Sequence, residues 1–238
     1  MPASQDLDIL YEDNHLLVVN KPAMLPTMGV AADKPSLLAQ AKEYIRKKYN
    51  KPGNVYLGVV SRLDAPVTGV LVIAKRSKAA SRLTADLKDR RARKVYWAVV
   101  AGMLSEKEGT LEHFMRKDER HRKMHVTSPN APDAKLARLN YRCVAQNRNL
   151  TLLEVQLETG RKHQIRVQLA KIGHPIVGDR KYGSEVSFAE GIALHSRLLE
   201  LQHPIEKNTL RFEKPPPPSW QKVPAIAELL SLAGHQGS

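Results

Sequence analysis

The chain has 238 residues, 42% of them hydrophobic and 26% charged, which suits a globular protein long enough to bury a sizeable core. Thirty-eight Lys and Arg against 24 Asp and Glu leave a formal charge of +14, the balance expected of a protein that neutralises phosphates. No apolar run approaches the ~20 residues that span a bilayer. The first ten residues, MPASQDLDIL, show no secretory signal, and the single cysteine, Cys143, excludes an internal disulfide. A cytoplasmic protein with a nucleic-acid partner is expected, with no membrane partner.

In chain order, LDILYE and HLLVVNK are apolar runs joined by the polar Glu12-Asp13-Asn14, which predicts a hairpin over 7–20. Residues 23–35 carry turn formers and no period. Ser36 followed by Leu37, Leu38, Ala41, Ile45 and Tyr49 predicts a capped helix over 36–49, stopped by Lys51-Pro52-Gly53-Asn54. Val70-Leu71-Val72-Ile73-Ala74 reads as a buried strand. A second helix over 77–91 follows, with Ser77 as its cap.

KVYWAVVAG predicts a strand over 94–102. The polar stretch 103–134, with Pro129 and Pro132, predicts hairpin loops and short strands. KLARLNYRCVAQ and NLTLLEVQLET predict two more strands, turning at Asn147-Arg148. A short helix is expected over 163–173, then a loop, a last hairpin from IALHSRLLELQHP and TLRFEKP, and a helix over about 223–233. Mostly strands with a few helices between them predict an α+β fold with a largely antiparallel mixed sheet. A single domain over 1–238 is expected, its core spanning about 7–220.

No phosphate loop and no dinucleotide fingerprint occurs. His121 and His125 lie in a charged run without a third ligand, so no metal site is expected. Asp64, two residues after Arg62, sits at the mouth of the apolar strand. It reads equally well as a turn residue before Ala65-Pro66 and as a carboxylate held for chemistry. Arg161, Lys162, His163 and Arg166 crowd a helix start, where the helix dipole gives cations no help. A site that recruits an anion explains them better, above all Arg166 between Ile165 and Val167.

Five segments in order carry a resemblance: VVNKPAML, SRLDAPVTGVLVIAK, KVYWAVVAG, GRKHQIRVQLA with GHPIVGDRKYG, and LHSRLLELQHP. Over nearly its whole length, the chain resembles the RluA-type pseudouridine synthases. The resemblance implies the pseudouridine synthase catalytic fold with a central cleft and no appended S4-like RNA-binding domain. It implies isomerisation of a uridine in structured ribosomal or transfer RNA, with no cofactor and no metal. Asp64 would be the catalytic carboxylate, Arg166 its cationic partner across the cleft, and Tyr96 the residue against the uracil. Arg62 would help extrude the target nucleotide, and Lys75, Arg161 and His163 are further candidate RNA contacts. Asp64 would attack C1′, add to C6, or remove a proton from C2′.

The chain departs from the family pattern at Ser61, where His is usual, and at Ala65, Pro66, Val67 and Thr68. Met24 stands where Gly is frequent, and Lys162 where Thr is usual. These departures bear on which RNA is read. A monomer that binds no DNA is expected. A catalytically reduced RNA-binding or RNA-folding factor is the alternative.

Overall fold

The computed structural model describes residues 7–31, 33–121 and 123–234. Eleven strands and four α-helices are found among them, the α+β composition expected. The chain divides into two compact units. Unit one comprises Met1–Lys94 and Ser196–Pro215, and unit two Val95–His195 and Pro216–Ser238.

Unit one is built on the apolar N-terminal hairpin. Strands β1 (Asp8–Glu12) and β2 (Leu16–Lys21) pair antiparallel, and β2 pairs antiparallel with β4 (Thr68–Ala74). Strand β10 (Leu194–Gln202) lies on the other side of β4, followed by β11 (Thr209–Glu213), while the short β3 (Gly58–Val59) also pairs with β4. Every residue of β4 is buried, which its unbroken run of apolar and small side chains requires. Leu16, Val18, Val70, Val72, Leu199 and Leu201 form one core with Ala79 and Leu83 of helix α2 (Ser77–Lys88).

Gly69, the second residue of β4, has a φ of +114. A Cβ there would lie 2.3 Å from the carbonyl oxygen of Ser196, so a side chain is excluded by backbone contact as well as by conformation. The Ser196 hydroxyl donates to the Val70 carbonyl at 3.0 Å.

Helix α1 (Leu37–Lys48) starts as its sequence predicts. Ser36 is extended and its hydroxyl accepts from the Ala39 N–H at 3.2 Å. Leu37, Ala41 and Ile45 are the buried stripe, and Arg46, Lys47 and Lys48 occupy the last turn, where the dipole favours them. The start of α2 differs from expectation. Arg76 is the extended cap residue and forms no side-chain cap bond, while Ser77 is already helical. A serine one position too late cannot offer its hydroxyl to the first free N–H groups.

Unit two is a sheet in the order β5 (Arg93–Ala101), β9 (Leu150–Leu157), β8 (Lys135–Gln146), β6 (Glu108–Asp118), β7 (Lys123–Thr127), each described pair antiparallel. The turn at Asn147 forms as expected, its side-chain oxygen accepting from the N–H of Asn149 and Leu150. Strand β6 runs for 11 residues where loops and short strands were expected. Its outer face is charged and only Leu111 and Met115 are buried, so the polar side masks the two-residue period. Pairing with β8 on one side and β7 on the other satisfies its backbone.

Helix α3 (Gln164–Lys171) places Val167 against Met115 and Ala137. Helix α4 (Pro224–Gly234) buries Ile226 and Leu229, and Asn147 donates to the Ala225 carbonyl at 3.0 Å. No described helix is long and apolar enough to cross a membrane.

Unit one also holds an ionic cluster around a buried carboxylate. The Glu12 carboxylate, with its side chain 7% exposed, accepts from Lys75 Nζ and Lys48 Nζ at 2.7 Å each. It also accepts from the hydroxyls of Tyr44 and Tyr49 at 2.8 Å each. Burial pushes this carboxyl upward, but the four hydrogen bonds outweigh it and bring its pKa to about 2, from 4.5. A folded pKa below the unfolded one adds stability that is complete above about pH 4.5 and lost as the pH falls toward 2. Glu12→Gln is expected to remove up to about 3 kcal/mol at pH 7 and to flatten that acid slope. Urea unfolding at a series of pH values reads both.

Candidate active site

Asp64 lies on a loop of unit one that leads into β4. Its carbonyl accepts from the Val67 N–H at 3.0 Å, closing a four-residue turn. The residue is half-buried, between Leu63 and Ala65. The backbone on both sides of it is tied down.

On one side, the buried Thr27 hydroxyl donates to the Leu63 carbonyl at 2.7 Å and accepts from the Leu63 N–H at 3.2 Å. On the other, Lys21 Nζ donates to the Ala65 carbonyl at 3.1 Å. The same ammonium donates to the carbonyls of Pro22 at 2.7 Å and Leu25 at 2.8 Å. Three carbonyls thus receive the three protons of one ammonium.

Lys21 is fully buried at the end of β2, in register with Gly69 of β4. Burial pulls its pKa down to about 7, opposed by the negative charge of Asp64. The lysine is therefore both a mechanical tie and a nearby countercharge for the carboxylate. The loop it holds is anchored in turn to α1, whose Leu37 and Leu38 N–H groups donate to the carbonyls of Pro26 and Thr27. That satisfies two of the donors a helix start leaves free.

Arg62 is exposed and has no hydrogen bond or ion pair among the described residues, so its guanidinium is available to a ligand. Lys75, by contrast, is engaged inside unit one by Glu12, by the Asp13 carbonyl and over the Tyr49 ring.

In unit two, Tyr96 is 7% exposed on β5, opposite Val155 of β9. Lys94, two residues earlier on the same strand, is partly buried and has no partner among the described residues. Burial lowers its pKa, and no acid offsets that. Residue-type reading passed over Lys94, although it opens the K-x-Y segment.

Arg166 projects from α3. Its Nε and one terminal nitrogen bind both oxygens of Asp179, at 2.7 and 2.8 Å. The pair is 5% and 1% exposed. Tyr182 lies 5.0 Å from the guanidinium carbon and shares a 2.6 Å hydrogen bond with Nδ1 of His163. The Tyr182 oxygen also accepts from the Met124 N–H at 3.1 Å. His163 itself sits at the helix start with a φ of +55. Arg161 is exposed, and its Nε donates to the Leu136 carbonyl at 2.9 Å.

The segment GDRKYG therefore supplies both the carboxylate and the ring that fix Arg166. Asp179 and Tyr182 were missed as site residues because they read as an unremarkable polar loop. The signal was present in the spacing of an Asp and a Tyr after a buried apolar pair, Ile176-Val177.

The residues Asp13, His203 and Glu206 cluster closely enough to suggest metal ligands. Both ring nitrogens of His203 are engaged, however. Nε2 meets Asp13 at 2.8 Å, and Nδ1 accepts from the N–H groups of Ile205 and Glu206. The cluster ties the β1–β2 turn to the end of β10.

Residues 15–171 match the family model described as RNA pseudouridylate synthase, a span that runs through the Asp64 loop, β5 and α3. The chain belongs to the RNA pseudouridylate synthase family. It is an isomerase that acts on uridine in RNA. It is 34% identical over 220 residues to the uncharacterized RNA pseudouridine synthase YhcT of Bacillus subtilis, covering 91% of this chain and 71% of that protein. It is 35% identical over 228 residues to the ribosomal large subunit pseudouridine synthase D of Pseudomonas aeruginosa, covering 89% and 69%. The solved structure of human RNA pseudouridylate synthase domain containing 4 has the same fold, with a TM-score of 0.74 at 24% identity, over 94% of this chain and 92% of that one.

Two variants probe how the synthase holds its loop and its arginine. Lys21→Met leaves three carbonyls short of a donor, and its turnover number is expected to fall at least tenfold, with destabilisation of about 2–3 kcal/mol. Steady-state kinetics and urea unfolding measure the two effects. Arg166→Met strands the buried Asp179 carboxylate, which costs about 3–5 kcal/mol. Arg166→Met/Asp179→Asn is expected to recover most of that stability in denaturant titrations, which makes it the cleaner background for measuring the arginine's share of turnover.

Proposed function

We propose that Asp64 is the carboxylate that carries the isomerisation, acting with Tyr96 and Arg166 on a uridine of large-subunit ribosomal RNA. The observation that carries this reading is the pair of backbone ties flanking Asp64, Thr27 at Leu63 and Lys21 at Ala65. A surface turn needs no such fixing, whereas a group that must meet one sugar–base junction does.

The reaction breaks the C1′–N1 bond, forms a C1′–C5 bond, releases the proton of C5 and returns one to N1. Oxidation state is unchanged, so side chains suffice. A carboxylate serves at the junction, a ring packs against the uracil, and a buried guanidinium with two fixed hydrogen bonds offers a rigid positive charge. Tyr96 and Arg166 are the buried residues suited to the last two tasks.

Support for RNA as the macromolecule extends beyond the family. Unit two carries a groove of about 820 Å³ whose lining combines the exposed Lys123 and Lys171 with the less exposed Met124, Val126 and Val167, and includes one acid, Asp118. Basic and apolar groups in one groove fit a strand, the first for phosphates and the second for bases. Lys94 and Arg62, both without protein partners among the described residues, suit phosphates. The name of the Pseudomonas aeruginosa relative supports a ribosomal target. We further read the protein as a cytoplasmic, monomeric enzyme with no role on DNA. The family match runs through both units, which supports reading residues 1–238 as one catalytic domain.

Asp64→Asn is expected to abolish tritium release from RNA labelled at uridine C5, with unchanged thermal unfolding. An Asn variant that releases tritium at the wild-type rate would remove Asp64 from the reaction. Mapping pseudouridines in ribosomal RNA from cells with and without the gene identifies the target; a ribosomal RNA left unchanged while transfer RNA loses a pseudouridine moves the target to transfer RNA.

A further inference from the structure

Met24 combines two unfavourable features. Its φ is +59, in the left-handed region that disfavours any residue with a Cβ. Its side chain is 66% exposed, so a large apolar group stands in water. The family pattern frequently has Gly here, which would occupy that backbone without strain.

The strain does not come from a loose loop. Leu25 and Thr27 are 8% and 3% exposed, and each is tied down, Leu25 by its carbonyl to Lys21 and Thr27 by its hydroxyl to Leu63. Met28 and Val30, on the same loop, are also exposed, at 41% and 37%. The loop thus buries one set of side chains as anchors and presents an apolar set outward.

Its position relative to the chemistry follows from one ammonium. Lys21 Nζ reaches the carbonyl of Leu25 and the carbonyl of Ala65 together. Met24 precedes the first and Asp64 precedes the second. A strained, exposed methionine therefore sits on a loop tied by the same ammonium as the loop that carries Asp64.

We propose that Met24 is a substrate-contacting residue whose thioether packs against the face of a nucleobase flanking the target uridine. This rests on the reading that Asp64 acts on RNA. The target nucleotide must leave its stack to reach the carboxylate, and the neighbouring base loses a stacking partner when it does. An exposed, flexible, polarisable side chain fills such a gap, and apolar wedges serve this purpose where proteins open a base step. Phosphates would gain nothing from a thioether, and the exposed Arg62, two residues before Asp64, is suited to them instead. Residue 24 would then help select which RNA sequence is held.

The test compares wild type, Met24→Gly and Met24→Leu on total RNA from cells lacking the gene, labelled with tritium at uridine C5. Met24→Gly relieves the backbone and is expected to raise Tm by about 2–4 °C. It is also expected to raise the half-saturating RNA concentration about tenfold, with the maximal rate within about twofold. Met24→Leu, which keeps an apolar side chain, is expected to hold near wild-type half-saturation.

The proposal is overturned by unchanged half-saturation in Met24→Gly, by a drop in its Tm, or by a loss confined to the maximal rate. It is equally overturned by sedimentation showing a wild-type dimer that Met24→Gly turns into monomer, which would assign the patch to a second copy of the chain. If wild type releases no tritium, the reading of Asp64 fails separately. Filter binding of the same RNA then decides on Met24, with equal affinities of wild type and Met24→Gly rejecting it.

Discussion

A single buried ammonium organises the loops around Asp64, the proposed catalytic carboxylate. Lys21 lies at the end of a strand whose other residues are almost wholly apolar, a costly place for a charge. What offsets that cost is the set of three carbonyls it gathers, from Pro22, Leu25 and Ala65, together with the nearby charge of Asp64. Backbone carbonyls in irregular loops need donors, and here one side chain supplies three. The consequence is that two loops distant in sequence become one rigid body, and Asp64 is part of it. Thr27 completes the arrangement from the opposite side, because a hydroxyl can donate to and accept from the same residue.

Unit two meets a similar need with a different device. Arg166 is buried on α3, and a buried guanidinium needs more than one partner to be held in place. Asp179 takes two of its hydrogen bonds in a planar fork, and the Tyr182 ring covers a face. Tyr182 is itself fixed by His163 and by the Met124 backbone. The arginine's direction is thus set by the loop that follows its helix, and a change in that loop would be felt at the arginine without altering α3. Both units use buried charge for position more than for stability, which agrees with the small net gain such pairs give.

Much of this was legible in the sequence, and the exceptions have physical reasons. The hairpin, the Ser36 cap and the turn at Asn147 follow from local patterns, because each is decided within a few residues. Ser77 misled because capping depends on a single position, and the helix begins one residue earlier than its hydroxyl could use. Strand β6 was hidden because its exposed face is charged and its partners lie elsewhere in the chain. The K-P segment was visible as a motif, but no spacing rule says that its lysine reaches across 44 residues to Ala65. Lys75 is expected from the sequence among the candidate RNA contacts. Its engagement by Glu12 depends on a carboxylate from β1 that folding brings alongside it.

The departures from the family pattern gain meaning from the same ties. Met24 belongs to the first loop that Lys21 holds, and Ser61 with Ala65, Pro66, Val67 and Thr68 belong to the second. These departures lie on the two loops that Lys21 ties together in unit one, whereas Lys162 belongs to unit two. The residues that do the fixing, Lys21, Thr27 and Gly69, are those that a substitution would damage most, since two donate into the loops and one admits no Cβ. Evolution of target choice in such a framework is confined to positions that point away from the ties. Val67 and Thr68 are buried and can act only through the shape of the turn. Met24 is exposed and Ser61, Ala65 and Pro66 are half-buried, so a change at any of them can alter what is touched while Asp64 stays where it is.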